Sequence, residues 1–246
     1  MEALRRTFAL SVILAGFSTL ACVFNNNEPV GETVTESKTV PLGEAKRVRV
    51  QIKMGAGELK VEGGANGLMN ADFTYNVSRW KPQVRYDASG DTGELTIQQP
   101  PGSSGHGGRT RYEWDLRFNN QVPMEMNIDQ GAGSANLDLA GLSLSDLKVN
   151  IGAGETTINL DGKWKNDLTA SIHGGVGQAN LKLPRDVGVR VVAHGGLGAI
   201  NAPGFTKQGD TYTNDAYGKS SATLRIEVEG GVGEINLEMG GSSGTV

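Results

Sequence analysis

Two histidines stand in front of near-identical phrases. "HGGVGQANLKLP" begins at His173 and "HGGLGAINAPG" at His194, and "EGGVGEINLEM" repeats the phrase with Glu229 in the leading place. Imidazole and carboxylate at equivalent positions could hold a divalent cation if the repeats stacked. Aligned on the last glycine, the leading column reads Lys53, Asp129, Asn150, His173, His194 and Glu229. Sequential stacking would then form a polar column from Asp129, Asn150, His173, His194 and Glu229, with the two imidazoles on neighbouring coils and resisting joint protonation. A second reading of the same column is a ladder of side-chain hydrogen bonds at the strand ends. No metal site is assigned.

Other chemistries of a glycine-rich phrase fail on its flanks. A dinucleotide loop needs a third glycine and a following helix, but Asn180 occupies that place and a strand pattern follows. The Gly-Lys-Ser/Thr of a phosphate loop does not follow these phrases. The calcium nonapeptide needs aspartate at its sixth place, where the chain has Ala179, Ile200 and Ile235. No nucleophile–base set stands out, and the chain is expected to be non-enzymatic and without a cofactor. The net charge of −4 and the lack of a long basic run argue against nucleic acid as a partner.

The phrase occurs six times. Its last glycine is Gly57, Gly133, Gly154, Gly177, Gly198 or Gly233, and two residues earlier stands Gly55, Gly131, Gly152, Gly175, Gly196 or Gly231. From Gly133 to Gly198 the spacing is 21, 23 and 21 residues, a period that suggests a solenoid. Apolar residues alternate on both flanks: Val48, Val50 and Ile52 precede the first phrase, and Ile235, Leu237 and Met239 follow the last. Period two on both sides reads as strand, corner, strand. The third unit places Ser145, Leu147 and Val149 in the inward rows. Glycine suits a corner that demands positive φ or close backbone approach. Three residues past the corner come Asn136, Asn180, Asn201 and Asn236, an amide ladder in stacked coils.

Two stretches break the period. Gly63–Pro123 contains the strand-like runs "ADFTYNVS", "QVRYDAS" and "GELTIQQ", with "SGDTG" as a turn and "PPGSSGHGGRT" as a loop. "PGFTKQGDTYTNDAYGKSSAT" separates the fifth and sixth units. Trp80, Trp114, Trp164, Tyr75, Tyr86 and Tyr112 fit either a glycan platform or a core.

The chain opens with Arg5 and Arg6, an apolar run from Phe8 to Leu20, and a small residue before Cys22, the only cysteine. That is the pattern of a secretory signal. Ser18–Cys22 resembles a bacterial lipobox, which implies cleavage before Cys22 and lipid on its sulfur. The expected order is a signal over 1–21, a polar tether over 22–46, an N-terminal β subdomain over 47–123, solenoid repeats over 124–240 and a disordered tail over 241–246.

The stretch from Tyr112 to Leu160, with Trp114, the Asn119–Pro123 turn, Gly131-Ala132-Gly133, "LDLAGLSL" and Gly152-Ala153-Gly154, resembles the bacterial toast-rack lipoprotein family. It is also similar to the β-solenoid C-terminal domain of LiaF-type cell-wall stress proteins and to adhesins of related build. The resemblance implies an all-β, extracytoplasmic protein: a short right-handed parallel β-solenoid with an N-terminal strand subdomain, held to a membrane by lipid. In a cell with two membranes the expected location is the outer one. The expected function is protein contact in the envelope, in stress sensing or surface organisation, with a surface adhesin or glycan-binding module as the alternative. The expected partner is an envelope protein or polysaccharide.

Overall fold

A computed structural model describes residues 30–101 and 110–241. The expected signal over 1–21, Cys22, and residues 23–29, 102–109 and 242–246 lie outside them.

The alternating runs form strands that join one thirteen-stranded sheet. Six long strands make its body: β2 (Arg47–Gly63), β7 (Met124–Asp138), β8 (Leu144–Asn159), β9 (Leu168–Leu183), β10 (Gly188–Asn201) and β13 (Thr223–Met239). They pair in parallel and in register, glycine over glycine, in the order β2-β7-β8-β9-β13-β10. A straight strand of 15 residues would be about 50 Å long, and a five-residue connection spans under about 20 Å. Yet residues 139–143 alone carry the chain from the end of β7 to the start of β8. The strand therefore folds back at its glycine corner, so that its two ends come together and each unit is one coil. Across the corner the buried positions change phase. In β7 they are Met124, Met126, Ile128 and Gln130, then Ala135 and Leu137. Both arms thus turn their apolar side chains inward.

The inward residues stack in aliphatic rows. Ile52, Ile128, Val149, Ile172, Val228 and Ala193 form one, and Val61, Leu137, Ile158, Leu181 and Leu237 another, all buried. Residues of both the stack and the N-terminal strands belong to a single core.

The strand β2, which lies within the N-terminal subdomain expected over 47–123, is the first rung of the stack. Its first arm carries β5 (Thr92–Gln98) and its second arm β6 (Tyr112–Phe118). Beyond them lie β4 (Gln83–Ser89) on β5, β3 (Met69–Tyr75) on β6, and β1 (Val34–Val40) on β3. The segment expected as tether over 22–46 therefore contains a strand. Its signal was weak because β1 is an edge strand on which Val40 is the buried residue. A hairpin of β11 (Thr206–Gln208) and β12 (Thr211–Thr213) covers the first arm of β10.

Two further details differ from the sequence reading. A register shift at Ser145 lets Leu144 take the inward place assigned to Ser145. The sixth unit slots between the fourth and fifth, so the rungs do not follow chain order. Identical corners make every rung an acceptable neighbour for every other. The 21-residue connection 202–222 is long enough to bring β13 back between β9 and β10.

Candidate functional site: the glycine corner and its rows

At the corner the second glycine has φ between +122° and +149° in all six rungs, a region essentially closed to other residues. Stacking adds a stricter demand. A Cβ at Gly177 would collide with the Gly154 carbonyl oxygen, and one at Gly175 with the Gly152 carbonyl. The same holds for Gly131, Gly133, Gly152 and Gly154 below, and for Gly231, Gly233, Gly196 and Gly198 above. Each rung's glycine carbonyls point at the next rung's glycines.

The leading residues share a row, but its order is Lys53, Asp129, Asn150, His173, Glu229, His194. The expected neighbouring of the two histidines is corrected: Glu229, brought in by β13, stands between them. His173 Nε2 lies 3.2 Å from Glu229 Oε2, and Asn150 Nδ2 donates to Asp129 Oδ1 at 2.7 Å. His194 Nδ1 is 3.6 Å from Asp210 Oδ2, a partner in the β11–β12 turn that spacing could not reveal. These side chains are about half exposed, where an ion pair stabilises by about 0–1 kcal/mol. Among the described residues no three of His, Cys, Asp or Glu converge as metal ligands would.

The amide row runs Asn136, Thr157, Asn180, Asn236, Asn201. Asn201 Nδ2 donates to Asn236 Oδ1 at 2.8 Å, and Asn236 Nδ2 to Asn180 Oδ1 at 2.9 Å. Thr157 separates Asn136 from this run.

Two further rows meet at the corner. Facing inward are Met54, Gln130 and Ile151, then Gly174, Gly230 and Gly195. The side chains end halfway along, which leaves a cavity of about 40 Å³ bordered by Ile151, Thr156, Ile172, Ala179 and Ile235. In the same row Gln130 is buried, and its amide donates to the Gly57 carbonyl at 2.9 Å. Facing outward at the apex are Ala56, Ala132, Ala153, Val176, Val232 and Leu197. The last three form an exposed apolar ridge, with Leu197 74% exposed.

A charged groove of about 570 Å³ lies where β3 and β6 meet the second arms of β2 and β7. Lys60 Nζ is 2.8 Å from Glu62 and 3.6 Å from Asp115, and Arg117 reaches Glu62, Asp72 and Asp115 at 3.0, 3.6 and 3.5 Å. The Lys60 hydrogen bond, with help from Arg117, holds the Glu62 carboxyl below its ordinary range against the opposing effect of burial. The aromatics do not form an exposed platform. Tyr75, Trp80, Tyr112 and Trp114 are buried, and Trp114 packs edge-on against Phe73 at 5.6 Å. Trp164 and Tyr86 are half-buried against the same core.

Comparison with known proteins bears on this architecture. The N-terminal domain of toast_rack (DUF2154) matches residues 29–182. The crystal structure of a candidate cell adhesion protein from Clostridium sporogenes is 34% identical, with a TM-score of 0.83 over 85% of this chain and 100% of that one. A candidate adhesin from Bacteroides fragilis aligns over 84% of this chain and 97% of its own at 10% identity, with a TM-score of 0.32. No curated protein matches. Six glycine-cornered rungs, the N-terminal strands on β2 and the match over more than half the sequence lead to one conclusion: the chain belongs to the toast-rack family.

Proposed function

We propose that this protein is a non-enzymatic contact protein of the cell envelope, held outside the cytoplasm by lipid on Cys22 and working in adhesion through its stacked surface. The observation that carries the reading is the 34% identity to the Clostridium cell adhesion candidate, over 85% of this chain and the whole of that one. The architecture suits it. Parallel in-register rungs repeat the same side-chain place about every 4.8 Å, so the outer rows present extended ribs of like chemistry. A partner with its own repeat can meet many of these ribs at once. The burial of Tyr75, Trp80, Tyr112 and Trp114 favours a protein partner over sugar rings stacked on aromatics. The Ser18–Cys22 motif supplies the anchor, and lipid at that point would hold the protein without a membrane span.

Live cells carrying a tagged chain are crosslinked and the captured material is identified, with Cys22→Ser as the release control. The expected result is one dominant envelope protein, lost in the control. Capture of nothing, or equal capture by both forms, would overturn the reading.

A further inference from the structure

The two ends of the stack are unlike. At one end β2 is covered along both arms, by β5 on Arg47–Lys53 and by β6 on Glu58–Gly63. At the other, the hairpin covers β10 only at Arg190–Val192, with one further bond from Ala193 N to the Asp210 carbonyl. From His194 to Asn201 the outer edge of β10 has no strand beside it among the described residues. In each lower rung the corner glycine carbonyls point at the next rung. By the same repeat, the carbonyls of Gly196 and Gly198 point off the end.

Sheet edges usually carry charge, proline or cover against pairing with another chain. The other free edges follow that rule: β1 has Glu36 and Lys38, β4 has Arg85 and Asp87, and β11 has Lys207. The segment Gly195–Asn201, "GGLGAIN", has no charge and no proline. At its apex Leu197 is 74% exposed.

We propose that this edge is a homodimer interface, in which the His194–Ile200 edges of two copies pair antiparallel across a two-fold axis at Leu197. Three observations select a second copy. Any strand seated here must bend at the same corner and avoid a Cβ against the outward carbonyls, and this chain's own glycine phrase does both. Head-to-tail stacking is closed because β2 is already capped, which leaves the symmetric head-to-head arrangement. The hairpin on the first arm stops pairing at about residue 193, so the edge is short and cannot propagate into a fibre. A two-fold axis through the apex exchanges the two arms of the bent strand. It sets Leu197 beside its counterpart and joins the two Val176–Val232–Leu197 ridges into one. A seven-residue edge falls in the smallest class of interfaces, so the dimer is reversible in solution and favoured where both copies are confined to one surface. This inference stands apart from the proposed function, since it concerns the chain's contact with itself.

The test is sedimentation velocity on the purified full chain in detergent, with Leu197→Lys as the variant. Wild type should form a reversible dimer, and the variant should dimerise at least about tenfold more weakly, as expected for a central contact, with an unchanged melting temperature. In a Cys22→Ser background, Leu197→Cys should give a disulfide-linked dimer on oxidation. A wild-type monomer up to about 1 mM, a dimer indifferent to Leu197→Lys, or no crosslink through Leu197→Cys would each overturn the proposal.

Discussion

Replacing Gly177 by alanine separates two reasons for glycine at the corner. The backbone there has φ of +138°, which costs an alanine about 1–3 kcal/mol. The added Cβ would also collide with the Gly154 carbonyl oxygen in the rung below. Backbone cannot swing aside as a long side chain can, so the rungs must part locally. Losing two ladder hydrogen bonds at about 1 kcal/mol each brings the total to about 3–5 kcal/mol. Gly43 supplies the control: its φ is +64°, and nothing lies within 4 Å of a Cβ placed on it. Gly43→Ala carries the left-handed penalty alone, about 1–2 kcal/mol. Urea titration of both variants, read at the midpoint with an unchanged slope, should place Gly177→Ala about 1–4 kcal/mol below Gly43→Ala. Equal midpoints would refute the close stacking of the glycines.

Two further outcomes follow from the core and the charges. Leu181 is fully buried in an aliphatic row, and Leu181→Ala should lower stability by about 2–5 kcal/mol in the same titration; no change would remove that row from the core. Glu36, held low first by its Lys81 hydrogen bond and then by that of Tyr75, and Glu62, held low first by Lys60, have folded pKa values below their ordinary 4.5. The unfolded chain therefore binds protons first as the pH falls. Their contribution is complete above about pH 4.5 and is lost below it as the folded carboxyls protonate. Melting temperatures from pH 7 to 3 should fall in that lower window, and Glu62→Gln should flatten the fall; a rise on acidification would reverse the sign.

Much of this fold was legible because its signals are local. Period-two alternation on both sides of a Gly-x-Gly corner specifies inward rows without knowledge of any neighbour, and the rows at Ile52 and Leu181 stand where the pattern put them. The hairpin of β4 and β5 lies on "QVRYDAS" and "GELTIQQ", joined at the expected turn. What stayed hidden depends on which strand sits beside which. Backbone hydrogen bonds make the ladder, and they are the same whichever rung is adjacent. Nothing in "EGGVGEIN" therefore told that Glu229 would separate His173 from His194. The cover on β10 likewise comes from Asp210 and Tyr212, residues outside the repeat. Edge strand β1 was hidden for another reason: with Val40 as its buried residue, its composition matches that of a linker.

The row of histidines, the amide ladder and the open edge all depend on β13 lying between β9 and β10. Paired cysteines test this directly in a Cys22→Ser background. Asn180 and Asn236 sit on adjacent rungs, about 4.8 Å apart, within disulfide reach. Asn180 and Asn201 are two rungs apart, at about twice that spacing and beyond reach. Under mild oxidation, Asn180→Cys with Asn236→Cys should close an internal disulfide, and Asn180→Cys with Asn201→Cys should not. The opposite pattern would put the rungs in chain order and contradict the account.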